Sequence, residues 1–124
     1  MIIESVAKYC EDNGIGTQGV NLFIGELPLD KTNIISINYS VASPDLALDL
    51  YTQTLDFWGR FSNVKPGYNK MFKVFDLLHK GQNYKIDDFH IYFSNALGIV
   101  DDMDRDSKRR SLYKVSIRFI FRKD

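Results

Sequence analysis

Residues 14–19 read Gly14-Ile15-Gly16-Thr17-Gln18-Gly19, the G-x-G-x-x-G spacing that cradles a pyrophosphate when it leaves a strand and opens a helix. Here the string follows a helical pattern and precedes an extended one. No helix N-terminus is aimed at a phosphate, so a flexible connection is expected instead. Cys10, His79 and His90 are the only thiol and imidazoles in the chain. A nucleophilic pair needs Cys beside His, yet Cys10 has the spacing of a core residue in one helix, His79 ends another helix and His90 falls in a strand. One cysteine forms no internal disulfide, and no Cys/His cluster has zinc-ligand spacing. Asp87-Asp88 and the run Asp101-Asp102-Met103-Asp104-Arg105-Asp106 raise the question of a cation. The second run lacks the sixth-position glycine and twelfth-position glutamate of a calcium loop, so neither metal nor cofactor is expected, and no catalytic residue is assigned.

What remains is charge. The acidic run is followed by Ser107-Lys108-Arg109-Arg110, so its sign reverses within a few residues. A two-signed arm suits gripping another protein, and it offers Asp101, Asp102, Asp104, Arg105, Arg109 and Arg110 to such a contact. A hydrated loop is the plain alternative, because like charges in series repel and stay solvated. Lys114, Arg118 and Arg122 recur every four residues and so form a row on one side of a strand. The plain reading is a wet sheet face.

The elements that must position these groups follow from hydrophobic periodicity. Ile3, Val6, Ala7 and Cys10 predict a short amphipathic helix over 2–12, stopped by Asn13-Gly14. Strands are expected over 20–24 and 34–39, a loop at Ser43-Pro44-Asp45, and a long strand over 48–58 that is apolar on parts of both faces. Beyond Pro66-Gly67, Tyr68, Met71, Phe72, Phe75 and Leu78 predict a second helix, ending near Gly81, that places Phe72, Phe75 and Leu78 on the last strand. Tyr84, Ile86, Phe89, Ile91 and Phe93 alternate with a slip at Asp87-Asp88, as in two short strands or one bulged strand. Tyr113, Val115, Ile117, Phe119 and Phe121 alternate with Lys114, Ser116, Arg118 and Arg122, the pattern of an antiparallel strand with one wet face. The order α-β-β-β-α-β(β)-β predicts an α+β fold, a mainly antiparallel sheet with two helices packed on it, in a single domain over 1–124.

Composition bounds the function. The 124 residues hold 16 Lys+Arg and 16 Asp+Glu, 44% apolar residues and 14% aromatics, enough for one core without metals or disulfides. Nothing in this balance is basic enough to indicate a dedicated nucleic-acid binder. The balance conceals an asymmetry: residues 1–62 carry three Lys/Arg against eight Asp/Glu, and 63–124 carry thirteen against eight. That division hints at charge-complementary self-association. No basic segment with a long apolar run opens the chain, and the uncharged stretch 89–100 contains His90, Ser94 and Asn95. The expectation is a soluble protein, made and used in a cytoplasm, with no export signal or membrane span.

Three strings then carry a likeness. They are Leu22-Phe23-Ile24-Gly25-Glu26-Leu27-Pro28 after a first helix, Tyr51-Thr52-Gln53-Thr54-Leu55-Asp56-Phe57-Trp58-Gly59-Arg60, and Val74-Phe75-Asp76-Leu77-Leu78-His79 at a helix end. With the closing alternating strand, they make nearly the whole chain resemble the tail-terminator, tail-completion and minor-capsid proteins of long-tailed bacteriophages. The resemblance implies a small structural subunit forming a ring, commonly hexameric, on the last ring of the tail tube. There it stops tube polymerisation and presents the surface that joins the head. Implied partners are further copies of itself, the tail-tube protein and a head-completion or connector protein, with DNA in transit and no membrane. The implied place is the virion tail, after assembly in the host cytoplasm. On this reading the arm meets a subunit or the tube, and the row lines the channel or abuts a neighbour. The alternatives are a head-side connector or neck protein and, from a different class, a small non-viral binding module or enzyme.

Overall fold

The computed structural model describes residues 2–40, 45–47 and 50–123, the side chains of 45–47 excepted. Helix α1 (Ile2–Asp12) buries Ile2, Ile3, Val6, Ala7 and Cys10 along one side. Gly14 takes φ +80° just after it, a left-handed position that favours glycine. The backbone N–H groups of Val20, Asn21 and Leu22 all reach the Thr17 carbonyl, at 3.0, 3.0 and 3.2 Å. Residues 17–21 are therefore a turn, and β1 is only Leu22–Ile24 rather than the expected 20–24. β2 (Ile34–Tyr39) has the expected bounds.

β3 (Asp45–Ala47) precedes β4 (Leu50–Phe61). Asp45 thus lies in a strand, whereas Ser43, Pro44 and Leu48 fall outside the described residues. Helix α2 (Val64–Leu78) begins two residues before Pro66, contrary to the expectation that Pro66-Gly67 precedes it. Proline is tolerated there because the first four N–H groups of a helix have no intrahelical acceptor. β5 (Gly81–Ile86) and β6 (Phe89–Ala96) are two strands joined by a tight turn in which Asp87 takes φ +51°. β7 (Asp101–Arg105) and β8 (Ser111–Lys123) complete the chain, so the acidic run is an edge strand and not a loop.

The strands form one eight-stranded sheet of order β1-β2-β4-β8-β6-β5, with β3 on β4 and β7 on β8. β1 runs parallel to β2, and the other named pairs are antiparallel. The fold is α+β, as the element order predicts. At its centre β4 and β8 pair from Tyr51↔Phe121 to Phe61↔Ser111. Alternation sends Leu55 and Phe57 of β4, with Val115, Ile117 and Phe119 of β8, to one face, where all are buried. Both helices contribute to that same core.

α2 meets the sheet through Gly67, Met71, Val74 and Leu78, not through the predicted Phe72 and Phe75. Those two rings are only partly buried, on the flank of the helix, because a stripe centred on Met71 and Val74 turns them aside. Gly67 is set by contact: a Cβ there would lie 2.7 Å from Phe61 Cβ and Cγ and 2.8 Å from Cδ2. Glycine to alanine inside a helix ordinarily stabilises by about 0.5 to 1 kcal/mol. Here overpacking wins, and Gly67→Ala should lower stability by about 1 to 3 kcal/mol in denaturant unfolding. A stabilised Gly67→Ala would refute the close packing.

Candidate interaction surfaces

The residues first suspected of chemistry are placed as structural groups. Cys10 is buried in the α1 face, and burial pushes its thiol up to about 12. His79 Nδ1 accepts the Ala96 N–H at 3.0 Å while its ring lies 4.5 Å from Phe75. His90 lies tilted against Tyr92, 4.5 Å between ring centres and 58° between ring planes. The Gly14 to Gly19 string runs from α1 into the turn before β1, with Gly14 and Gly19 both at positive φ. Among the described residues, no group of three or more His, Cys, Asp and Glu is placed to hold a metal ion. No helix among them is long and apolar enough to cross a membrane.

The charged arm divides into two parts with different surroundings. All five residues of β7 are exposed, and the pairs Asp101↔Lys114, Asp102↔Tyr113 and Arg105↔Ser111 hold it to β8. Its register is broken after Asp102, where Asp104 takes φ +73° and donates its N–H to Asp102 Oδ1 at 2.9 Å. A short, acidic, irregular edge resists indiscriminate strand pairing. Arg105 turns back into its own hairpin, donating to the Arg109 carbonyl and Ser111 Oγ, both at 3.3 Å. Arg109 is exposed at the turn with φ +60°.

The second part is a clamp built on Asp106, which the sequence placed in the acidic run but not among the residues offered to a contact. Asp106 Oδ1 accepts the N–H groups of Lys108 and Arg110 at 3.0 and 2.8 Å, and Oδ2 accepts Arg110 Nε at 2.7 Å. Arg60 Nε approaches the same Oδ2 at 3.4 Å from β4. The two guanidinium groups then reach one loop. Arg60 donates to the Pro28 and Lys31 carbonyls, and Arg110 to those of Leu29 and Lys31 and to Thr32 Oγ1. Arg110 is thus occupied within the subunit, binding the β7–β8 turn to residues 28–32. The only forewarning was the i, i+4 spacing of Asp106 and Arg110.

Burial and the neighbouring Arg110 lower the Arg60 pKa, against the pull of Asp106. Burial also acts to raise the Asp106 carboxyl, but the backbone and guanidinium of Arg110 and the Lys108 N–H outweigh it, holding the carboxyl below its ordinary value. A carboxylate lowered on folding stabilises fully above the unfolded value, about 3.9, and loses that contribution as pH falls through the folded value. The melting-temperature gap between the native protein and Asp106→Asn should therefore be constant above about pH 5 and close at more acid pH. Thermal melts across pH test this, and a gap independent of pH would refute it.

The cation row lies on the sheet face away from the helices. Lys114 Nζ is 3.9 Å from Asp56 Oδ2 and 5.3 Å from the Trp58 ring centre. Ser116 Oγ donates to Asp56 Oδ1 at 2.6 Å, fixing the carboxylate. Arg122 Cζ lies 5.7 Å from the Tyr92 ring centre. Arg118, between them, is exposed. The row is therefore one outward cation between two that lean on aromatic rings, and it shares its face with half-buried Trp58, Leu112 and Ile120.

Fold and surfaces together describe a small α+β chain with charge of both signs on its surface. The profile of the bacteriophage tail terminator proteins matches residues 9–123, nearly the whole chain. The chain belongs to that family, and it is a structural protein of the phage tail. No curated protein matches it.

Proposed function

We propose that this protein ends the tail tube. Copies form a ring, commonly six in proteins it resembles, that seats on the last ring of tube subunits, stops further addition and presents its opposite surface to the head. Its partners are the tail-tube protein on one side and a head-completion or connector protein on the other. Residues 1–124 act as one domain and one ring subunit, a reading supported by the single core that both helices share with the sheet. The observation that carries the proposal is the family match over residues 9–123.

The exposed part of the arm, Asp101, Asp102, Asp104 and Arg109, is suited to a subunit or tube contact, and Arg110 and Arg105 hold its shape. The row of Lys114, Arg118 and Arg122 belongs to a neighbour contact or to the channel. Assembly takes place in the host cytoplasm, and the finished protein resides in the virion tail. A gold or fluorescent-protein label fused to the chain should appear in electron micrographs at the head-proximal end of headless tails. A neck protein would instead label tailless heads and leave free tails bare.

A further inference from the structure

The flank of α2 beside its buried stripe carries Tyr68, Phe72 and Phe75, each partly buried. They form a ladder with ring centres 5.9 and 5.0 Å apart. His79 continues it, and the bond from Ala96 N–H to His79 Nδ1 brings the ladder to the start of the segment 97–100. There Leu97 and Ile99 are 55% and 58% exposed, and Met103 beyond them is 41% exposed. At its other end, Tyr68 packs edge-on against Tyr113, the register partner of Asp102. One edge of the subunit thus presents apolar side chains with Asp102 and Asp104 beside them, while Asp101, the register partner of Lys114, faces the side of the cation row. None of the ion pairs among the described residues involves these three acids.

Exposed apolar area rimmed by one sign of charge is the composition of a protein contact. The opposite sign stands on a different surface of the same chain, the sheet face not covered by the helices. Arg118 projects there with half-buried Ile120 and Trp58 nearby, so a partner seated on that face would cover apolar area as well as meet a cation. Resting on the terminator reading above, we propose that the acid-rimmed edge of one subunit docks on the Arg118 face of a second copy. The two surfaces differ, so the contact is heterologous, and each added copy leaves one surface of each kind open until the chain of subunits closes as a ring. Charge of opposite sign on two surfaces of one chain suits such a contact.

The test uses the purified full chain and two exposed-surface variants, Asp102→Lys/Asp104→Lys and Arg118→Glu/Arg122→Glu, with circular dichroism confirming the fold. Sedimentation velocity at low salt should show the native protein self-associating, and each variant alone should associate at least about tenfold more weakly. Mixing the two should restore association to within about threefold, because each reversed surface then finds its complement on the other variant. Ile99→Asp, which alters no acid or arginine, should also weaken association. The proposal is overturned by native protein that stays monomeric at about 100 μM, by variants that associate normally, or by a mixture that gains nothing. None of these results bears on tube capping, which is read from tail length. Normal tail length without the protein, beside restored association in the mixture, would sink the terminator reading and keep the contact.

Discussion

Truncating Phe119 to alanine is expected to cost about 3 to 5 kcal/mol, the largest single-site loss in the chain. Phe119 is wholly buried on β8, flanked in register by Gln53 of β4 and Ser94 of β6. Both neighbouring strands are fixed along their length, so the site cannot collapse to fill the void. The same truncation at Phe75 should cost only about 1 to 2 kcal/mol, since that ring is partly solvated before the change. Chemical denaturation of the two variants measures the difference. Equal losses would mean that α2 is rotated to bring Phe75 onto the sheet, as its sequence spacing alone suggests.

That contrast shows where sequence reasoning held and where it ran out. The bounds of α1 were legible because Ile3, Val6, Ala7 and Cys10 fall on one face and Asn13-Gly14 stops the pattern. β8 was legible because half its residues are buried and half wet, which writes the period directly into the sequence. α2 was found, but its face was misjudged: five large apolar residues span more of the helix surface than one contact can bury, and only the sheet decides which stripe wins. Its start was hidden by Pro66-Gly67, whose usual turn chemistry is overridden by the first-turn position and by the Phe61 ring.

β7 could not be read as a strand, because consecutive acids carry no alternation and the element exists only by pairing to β8. The Arg60–Asp106–Arg110 clamp was equally invisible. Apart from the Asp106–Arg110 pair, it joins residues 29 or more positions apart on strand, turn and loop, whereas local patterns report only neighbours in the chain. The positions of the charged row were plain from spacing. That Lys114 leans on Trp58 and Asp56, while Arg118 stands outward, depends on the register of β4 with β8.

The second large effect is expected in the virus itself. A tube protein that polymerises onto its own end stops only when that end is covered by a subunit offering no further site for addition. On the proposed capping role, loss of this protein changes the outcome from a fixed length to open growth. The direct measurement is tail length in lysates of phage lacking this protein, read by negative-stain electron microscopy. Tubes should run well past the normal length, with a broad distribution and no heads attached, and supplying the native chain in trans should restore one uniform length. Tubes of unchanged, uniform length in its absence would contradict the capping role.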